Sequence, residues 1–269
     1  MTVELAYRIV DVFTDRPLAG NALCVVLDPT PDAVQQAIAR EVNLSETTFP
    51  VVTGDQAYDM RIFTPESELP FAGHPSLGTA WALGPGRWTQ TTAGATVVVE
   101  ADRRGAVMTQ PDPVLSSVDP GAAVAAVGLA GAEGAALAEA AGMRHLLVAT
   151  ESAIDGLDPD PARVAAVTRR AGASTLAVVR RRDDRTLHVR VFAPAEGIPE
   201  DPGTGAAAGP IGAFALRHWG TDVDVTILQG LEIGRPSRIE VHAAGGAIRV
   251  GGSVADCATG RFTLSTTRQ

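Results

Sequence analysis

The chain contains no lysine, so all 22 of its basic residues are Arg. That absence excludes a Schiff-base lysine for pyridoxal phosphate or class I aldolase chemistry, and it excludes the lysine of a phosphate-cradling P-loop. Aromatic residues make up only 4% of the chain, and there are 2 Cys, with neither a CxxC pair nor a His at metal-ligand spacing. Cys24 and Cys257 therefore suggest neither a disulfide scaffold nor a zinc site. No stretch approaches the roughly 20 apolar residues of a membrane span. Glu4, Arg8 and Asp11 interrupt the first strand-like run, which does not read as a signal peptide. Positive charge is in deficit, with a formal net charge of -9, which argues against nucleic acid as a partner. The densest basic run, Arg180 to Arg182, is followed at once by Asp183 and Asp184 and reads as a solvated hairpin tip. These absences predict a soluble, cytoplasmic protein with no nucleic-acid or membrane partner.

What is present is a chain of 269 residues, 45% hydrophobic, with 28 Gly and 18 Pro. That is long enough to bury a sizeable core as one large domain or two halves. Leu5 to Phe13 and Ala22 to Leu27 read as strands, turned by Pro17 and Gly20. Pro31 to Val42 has helical spacing. Thr47 to Val52 and Ala57 to Phe63 read as strands around Gly54-Asp55, and Ser76 to Leu83 as a short buried helix. Thr96 to Glu100 and Ala106 to Thr109 read as a hairpin. Pro111 to Pro120 is the most linker-like stretch, and Ala/Gly-rich sequence after it suggests helix to about Ala141. Strands return at Arg144 to Ala149, Thr175 to Arg180 and Leu187 to Phe192. A helix is expected over Ala206 to His218, and four short strands are expected to close the chain.

The most informative feature is an internal repeat. Arg61-Ile62-Phe63-Thr64-Pro65 is followed by Pro70 and then by a Gly-containing turn into a small-residue helix. Arg190-Val191-Phe192-Ala193-Pro194 is followed by Pro199, at the same offset, and a similar turn and helix. The copies lie 129 residues apart, near half the chain length. Chance rarely supplies strand, proline and helix in register at that spacing. The pattern predicts two related halves, residues 1–115 and 116–269, the last strand able to return to the first half. A cleft between them would suit a ligand.

Each turn would point the start of a helix into that cleft, where free N–H groups and the helix dipole favour an anion. Gly73, Gly78, Gly203 and Gly205 allow close backbone approach. The other reading is that these glycines serve helix packing alone. Gly203 to Ala208 also fits a loose G-x-G-x-x-A dinucleotide pattern, but Pro194, Pro199 and Pro202 separate it from the strand that should precede it. Three polar residues stand out. Glu46 sits in a turn leading into a strand, as either a solvated or capping carboxylate or an acid/base group. His74 lies in the first Gly/Pro turn, as a site residue or as a helix-entry hydrogen bonder, and Asp201 in the second would serve as an N-cap acceptor. Two carboxylates and one imidazole suit proton transfer without a nucleophile or metal. His145, His188, His218 and His242 fall within or beside strand and helix patterns and read as ordinary.

These segments resemble the phenazine-biosynthesis isomerases of PhzF type, which share the fold of diaminopimelate epimerase. The similarity runs through nearly the whole chain. It is strongest at Ile38 to Glu46, Arg61 to Pro65 with Glu68 to Pro75, Gly142 to His145, Glu200 to Gly205 with Ala208-Gly209-Pro210, and Ile227 to Ser237. The resemblance implies an α+β fold of two pseudo-duplicated halves, each a β-sheet wrapped around a central helix, with the active site in the cleft between them. It implies a cofactor-free, metal-free isomerase, a homodimer, acting on a small carboxylate-bearing cyclic substrate, trans-2,3-dihydro-3-hydroxyanthranilate. By that resemblance Glu46 shuttles a proton from C3 to C1, while His74 and Asp201 position the substrate and assist. Gly73, Pro75, Ser76, Gly203, Thr204, Gly205 and Ala206 line the substrate.

The chain departs from the family pattern at Ala206, where a serine is usual, and at Pro202, where alanine is. The lost hydroxyl bears on the identity of the substrate more than on the reaction type, and Thr204 stands near enough in sequence to replace it. Two-base racemisation of the diaminopimelate epimerase kind needs a cysteine in each turn, and those places hold Ala72 and Pro202. Two other readings stay open: an isomerase of the same fold acting on another small cyclic amino or hydroxy acid, and a catalytically silent small-molecule binder.

Overall fold

The computed structural model describes residues 2–244 and 246–265. The chain divides into one unit of Met1–Met108 with Ser253–Gln269 and a second of Thr109–Gly252.

In the first unit β1 (Thr2–Val12) and β2 (Asn21–Val26) are antiparallel, and helix α1 (Asp32–Val42) crosses from β2 to the parallel strand β3 (Glu46–Gly54). β3 turns into β4 (Ala57–Phe63), and the short β5 (Glu68–Leu69) lies against the end of β4. Helix α2 (Gly73–Leu83) crosses to β6 (Gly86–Thr91), parallel to β4. β7 (Thr96–Ala101) and β8 (Gly105–Pro111) follow antiparallel. The last strand, β17 (Ala247–Ser265), pairs with both β8 and β1, so the strands form a closed ring.

From β10 onward the second unit repeats this order of strands and α-helices. β10 (Gly134–Ala140) and β11 (Met143–Thr150) are antiparallel, and α4 (Pro161–Ala171) crosses to the parallel β12 (Thr175–Arg181). β13 (Thr186–Ala193) is antiparallel to β12, with the short β14 (Ile198–Asp201) against its end. Helix α5 (Gly205–Trp219) crosses to β15 (Asp224–Gln229), parallel to β13, and β16 (Ser237–Ala244) and β17 follow antiparallel. The duplication expected from the repeat is thus present in the topology.

Two kinds of helix serve each unit. α2 is buried from Gly73 through Ala80 and packs against β1, β2, β3 and β7. A helix ringed by strands needs small residues on every side, not an apolar stripe. A Cβ on Gly78 would lie 2.7 Å from Leu23 Cδ2 and 2.8 Å from Val12 Cγ2. α5 is built the same way, with Ala207, Ala208, Gly209, Ile211, Gly212 and Ala215 buried. α1 and α4 instead cover the outside of their sheets along one face, through Ile38 and Ala39 in the first unit and Val164 and Ala165 in the second.

Four expectations fail, each for a physical reason. The linker-like stretch holds strand β9 (Val114–Ser117), paired with β10. The helix expected to reach Ala141 stops at Val127 (α3, Gly121–Val127), with Gly128 in the left-handed region. Its alanine-rich continuation is β10, because edge-to-edge pairing with β9 and β11 outweighs the helical preference of Ala. The chain closes on three strands, the last of 19 residues, not on four short ones. Helix α4 was not anticipated. Asp160 caps it, accepting from the N–H groups of Ala162 and Arg163, with Pro161 in the first turn. Among the described residues, no helix is long and apolar enough to cross a membrane.

Candidate active site

The first unit brings Glu46 and His74 together. α1 ends with Asn43 in the left-handed conformation (φ 53°), its N–H bonded to the Ala39 carbonyl. That stop turns the chain so that Glu46 becomes the first residue of β3, level with Leu23 of β2. His74 is the second residue of α2, whose N-terminal turn no side chain caps. Its Nε2 lies 3.5 Å from Glu46 Oε2, longer than a good hydrogen bond. Both residues are more than nine-tenths buried.

Burial also sets the charge of the imidazole. Desolvation pushes the His74 pKa down to about 3, against a smaller opposing hydrogen bond with the Ala22 backbone. At neutral pH the ring is uncharged, so it stands beside Glu46 as a neutral hydrogen-bonding group. Two residues that sequence reasoning missed hold the ring. Asn21 Nδ2 lies 3.3 Å from His74 Nδ1, and the Ser45 hydroxyl donates to Asn21 Oδ1 at 3.0 Å. Nothing in a lone Gly20-Asn21 pair announces such a role.

The rest of the α2 turn is braced from behind. The Ser76 hydroxyl donates to the Ala72 carbonyl at 2.8 Å and accepts from Gln90 Nε2 at 2.9 Å. Gln90 Oε1 accepts from the Tyr58 hydroxyl at 2.8 Å. All three side chains are buried, so the Ser76 hydroxyl is engaged within the protein. Pro75 follows His74 in the same buried turn. The N–H groups of Gly73 and His74 head the helix, without a carbonyl one turn earlier in the helix to accept them.

The second unit gathers Asp201, Gly203, Thr204, Gly205 and Ala206. Asp201 ends β14 and Thr204 stands at the N-cap of α5. The N-cap position expected of Asp201 is held by Thr204. Asp201 Oδ2 instead accepts from the Thr204 hydroxyl at 2.5 Å. Gln229, at the end of β15, organises the turn from below. Its Nε2 donates to the Asp201 carbonyl at 2.7 Å and to Thr204 Oγ1 at 2.9 Å, and its Oε1 accepts from the Thr204 N–H at 3.2 Å. A glutamine from the strand after the helix thus braces the helix start in each unit, Gln90 in one and Gln229 in the other. Ala206 is half-buried in the first turn of α5.

The repeated motif has a structural meaning that its sequence does not spell out. Arg61 Nε and Nη2 donate to the two oxygens of Glu68 at 2.7 and 2.8 Å. Arg190 does the same to Glu200 at 2.9 and 2.7 Å. In each unit the motif's arginine clamps the short strand that leads into the helix turn, in the bidentate geometry that guanidinium and carboxylate share. Neither cysteine is in a disulfide, and burial raises the Cys24 thiol to about 12, so it carries no thiolate. Among the described residues, the only group of side chains within reach of a shared metal ion is Asp155, His188 and Glu232, which includes none of Glu46, His74 and Asp201.

A family model described as phenazine biosynthesis-like protein matches residues 10–260. The trans-2,3-dihydro-3-hydroxyanthranilate isomerase of Pseudomonas aeruginosa is 39% identical, over 96% of this chain and 99% of that protein. The enzyme of the same name from Pseudomonas fluorescens is 38% identical over 90% and 91%. A solved structure described as a predicted epimerase from Pseudomonas aeruginosa superposes with a TM-score of 0.84 at 31% identity, covering 97% of this chain and all of that one.

Proposed function

We propose, for a chain that belongs to the phenazine biosynthesis-like family, that it is a cofactor-independent isomerase of trans-2,3-dihydro-3-hydroxyanthranilate. The observation that carries the mechanism is one buried carboxylate, Glu46, set 3.5 Å from an imidazole held neutral by burial. Glu46 takes the proton from C3 of the ring and returns it to C1, giving an enol that tautomerises to the ketone. A single base suffices, because the proton goes back to a different carbon of the same molecule. Neutral His74 orients the substrate and Glu46. It does not act as an imidazolium acid, since so low a pKa leaves almost none of it protonated at pH 7. Asp201, in the second unit, takes the assisting role that the family resemblance gives it, with its carboxylate oriented by Thr204. The N–H groups at the start of α2, beside Glu46 and His74, suit the substrate carboxylate.

Incubation with trans-2,3-dihydro-3-hydroxyanthranilate in D2O, followed by NMR and ultraviolet absorbance, tests this reading. Wild-type protein is expected to consume the substrate, and Glu46→Gln to lose at least a hundredfold in rate, the loss of a general acid/base. Deuterium at C1 would show exchange of the Glu46 proton with solvent, and protium there its direct return. Absence of turnover by folded wild-type protein would refute the assignment. A second reading keeps Glu46 and changes the substrate. It is favoured by one observation, the methyl of Ala206 in the half-buried first turn of α5 where a hydroxyl is usual. A panel of small cyclic amino and hydroxy acids separates the two. The working form we assign is a cytoplasmic homodimer, which sedimentation of the purified protein and fractionation of the source cells would check.

A further inference from the structure

Two residues on β13 hold both segments that flank the Asp201–Thr204 turn. His188 and Arg190 are two apart and so share a face of the strand, and their exposures are 0% and 5%. Arg190 grips Glu200, the residue before Asp201, and its Nη1 donates to the carbonyls of Ile154 and Leu157 at 3.0 and 2.8 Å. His188 Nε2 lies 2.8 Å from Glu232 Oε1, and the other Glu232 oxygen is 4.0 Å from Arg190 Nε. Glu232 belongs to a turn closed by the Arg235 N–H on the Gly230 carbonyl at 2.9 Å. That turn begins directly after Gln229, whose amide makes the three bonds to Asp201 and Thr204.

The turn also presses on Pro202. Gly230 has φ +72°, and a Cβ there would lie 2.4 Å from the Arg235 carbonyl oxygen and 2.7 Å from that of Pro202. The 230–235 backbone therefore forms the floor under the residue next to Asp201. Asp155, His188 and Glu232 come within 4.8 Å of one another and could be taken for a cation site. The guanidinium of Arg190 already supplies a cation between Glu200 and Glu232. A metal ion there would face a fixed positive charge, since the guanidinium of Arg190 lies 4.0 Å from the Glu232 oxygen that His188 does not bond.

We propose that His188 and Glu232 are positioning residues for the reaction. They touch no substrate and act through Gln229 and Gly230 on the geometry of Asp201 and Thr204. The inference rests on Asp201 serving the isomerase reaction assigned above. Its structural part, the hold on Thr204, does not.

The test measures kcat and KM, together with hydrogen exchange of the Thr204 amide in substrate-free protein. Glu232→Ala is expected to lower kcat about 10–100-fold, the cost of misplacing a catalytic group by a fraction of an ångström to one ångström, and to speed Thr204 exchange at least tenfold. Glu232→Gln keeps an acceptor for His188 Nε2–H and is expected to restore most of both. In an Asp201→Asn background, Glu232→Ala is expected to cost less than about twofold in kcat, because the two act through one group. Arg185→Ala, which breaks the exposed pair with Asp222 at 2.8 Å, controls for generic loss of an ion pair and is expected to leave both readouts unchanged. Should Glu232→Ala fail to fold, Gly230→Ala, which pushes the turn off Pro202, carries the same expected signature. Unchanged kcat and exchange in Glu232→Ala, or a full multiplicative penalty on Asp201→Asn, would overturn the proposal. So would a Zn2+-dependent rise in Tm that His188→Asn abolishes, since it would make the cluster a metal site. If wild-type protein turns over no substrate, the reaction assignment has failed, and Thr204 exchange alone decides whether Glu232 holds the turn.

Discussion

Acidification from pH 7.0 to 5.5 should weaken the fold, and two buried histidines set the size of the effect. Burial lowers the His74 pKa to about 3 and that of His145 to about 4, whereas both titrate near 6.5 in the unfolded chain. The unfolded state therefore binds more protons below pH 6.5, and stability is full above that value and is lost as the pH falls through it. Both folded values lie at least a unit below 5.5, so the loss at that pH depends almost wholly on the unfolded value. It amounts to about 1 kcal/mol for each histidine and about 2 kcal/mol together, a sizeable share of the roughly 5–15 kcal/mol of a typical domain. Carboxylates add little in this window because their unfolded pKa values lie near 4. Urea unfolding followed by circular dichroism at constant ionic strength reads the difference. His145, bonded to the Thr175 hydroxyl at 2.9 Å and remote in sequence from Glu46, His74 and Asp201, isolates one contribution. In His145→Asn the fall between the two pH values should shrink by about 1 kcal/mol. An unchanged fall in that variant, or no fall in wild type, would refute the claim that burial keeps these rings neutral.

Other outcomes follow from single contacts. Gln90→Leu should cost about 1–3 kcal/mol in urea unfolding, because it leaves the buried Tyr58 hydroxyl without its acceptor. Gly78→Ala should cost about 1–3 kcal/mol by overpacking α2 against Leu23 and Val12. The repeated arginines should behave unequally in the same assay. Arg190→Ala strands a largely buried Glu200 side chain and should cost about 3 kcal/mol, whereas Arg61→Ala breaks a solvent-exposed pair and should cost less than about 1 kcal/mol. In native protein Cys24 should resist a disulfide reagent that attacks thiolates, and should react once the chain is unfolded in urea.

The duplication was legible because its markers are backbone devices. Proline and glycine must recur wherever strand, turn and helix recur, and the arginine recurs because each turn needs its clamp. The residues around His74 and Asp201 were legible only in part. Glu46, His74 and Asp201 are titratable groups beside Gly/Pro turns, a pattern that stands out in a sequence. Asn21 and Gln229 are amides whose roles depend on pairings between strands far apart in the chain, and no local spacing records those. Strand β10 was misread for a related reason. Its alanines favour helix locally, and only their neighbours β9 and β11 decide otherwise.

The same frame carries different chemistry in its two copies, and the position of that chemistry explains how it could diverge. In both units the distinctive side chains stand where a short clamped strand gives way to a buried helix. One copy holds His74 in its second helical residue; the other holds Asp201 and Thr204 just before its first. The helices themselves leave little freedom, since nearly every residue of α2 meets a strand and a Cβ on Gly212 of α5 would lie 2.7 Å from Val241 Cγ1. The turns ahead of them are held by groups outside the turn: an arginine clamp on the incoming strand and a glutamine from the outgoing one. A turn braced from both sides can change its own residues without losing its shape. That is why the first copy can present a neutral imidazole beside a buried carboxylate while the second presents a carboxylate oriented by a hydroxyl. It also locates the weak point of the second copy away from Asp201 itself, in the buried pair of His188 and Glu232 that anchors the turn beneath it.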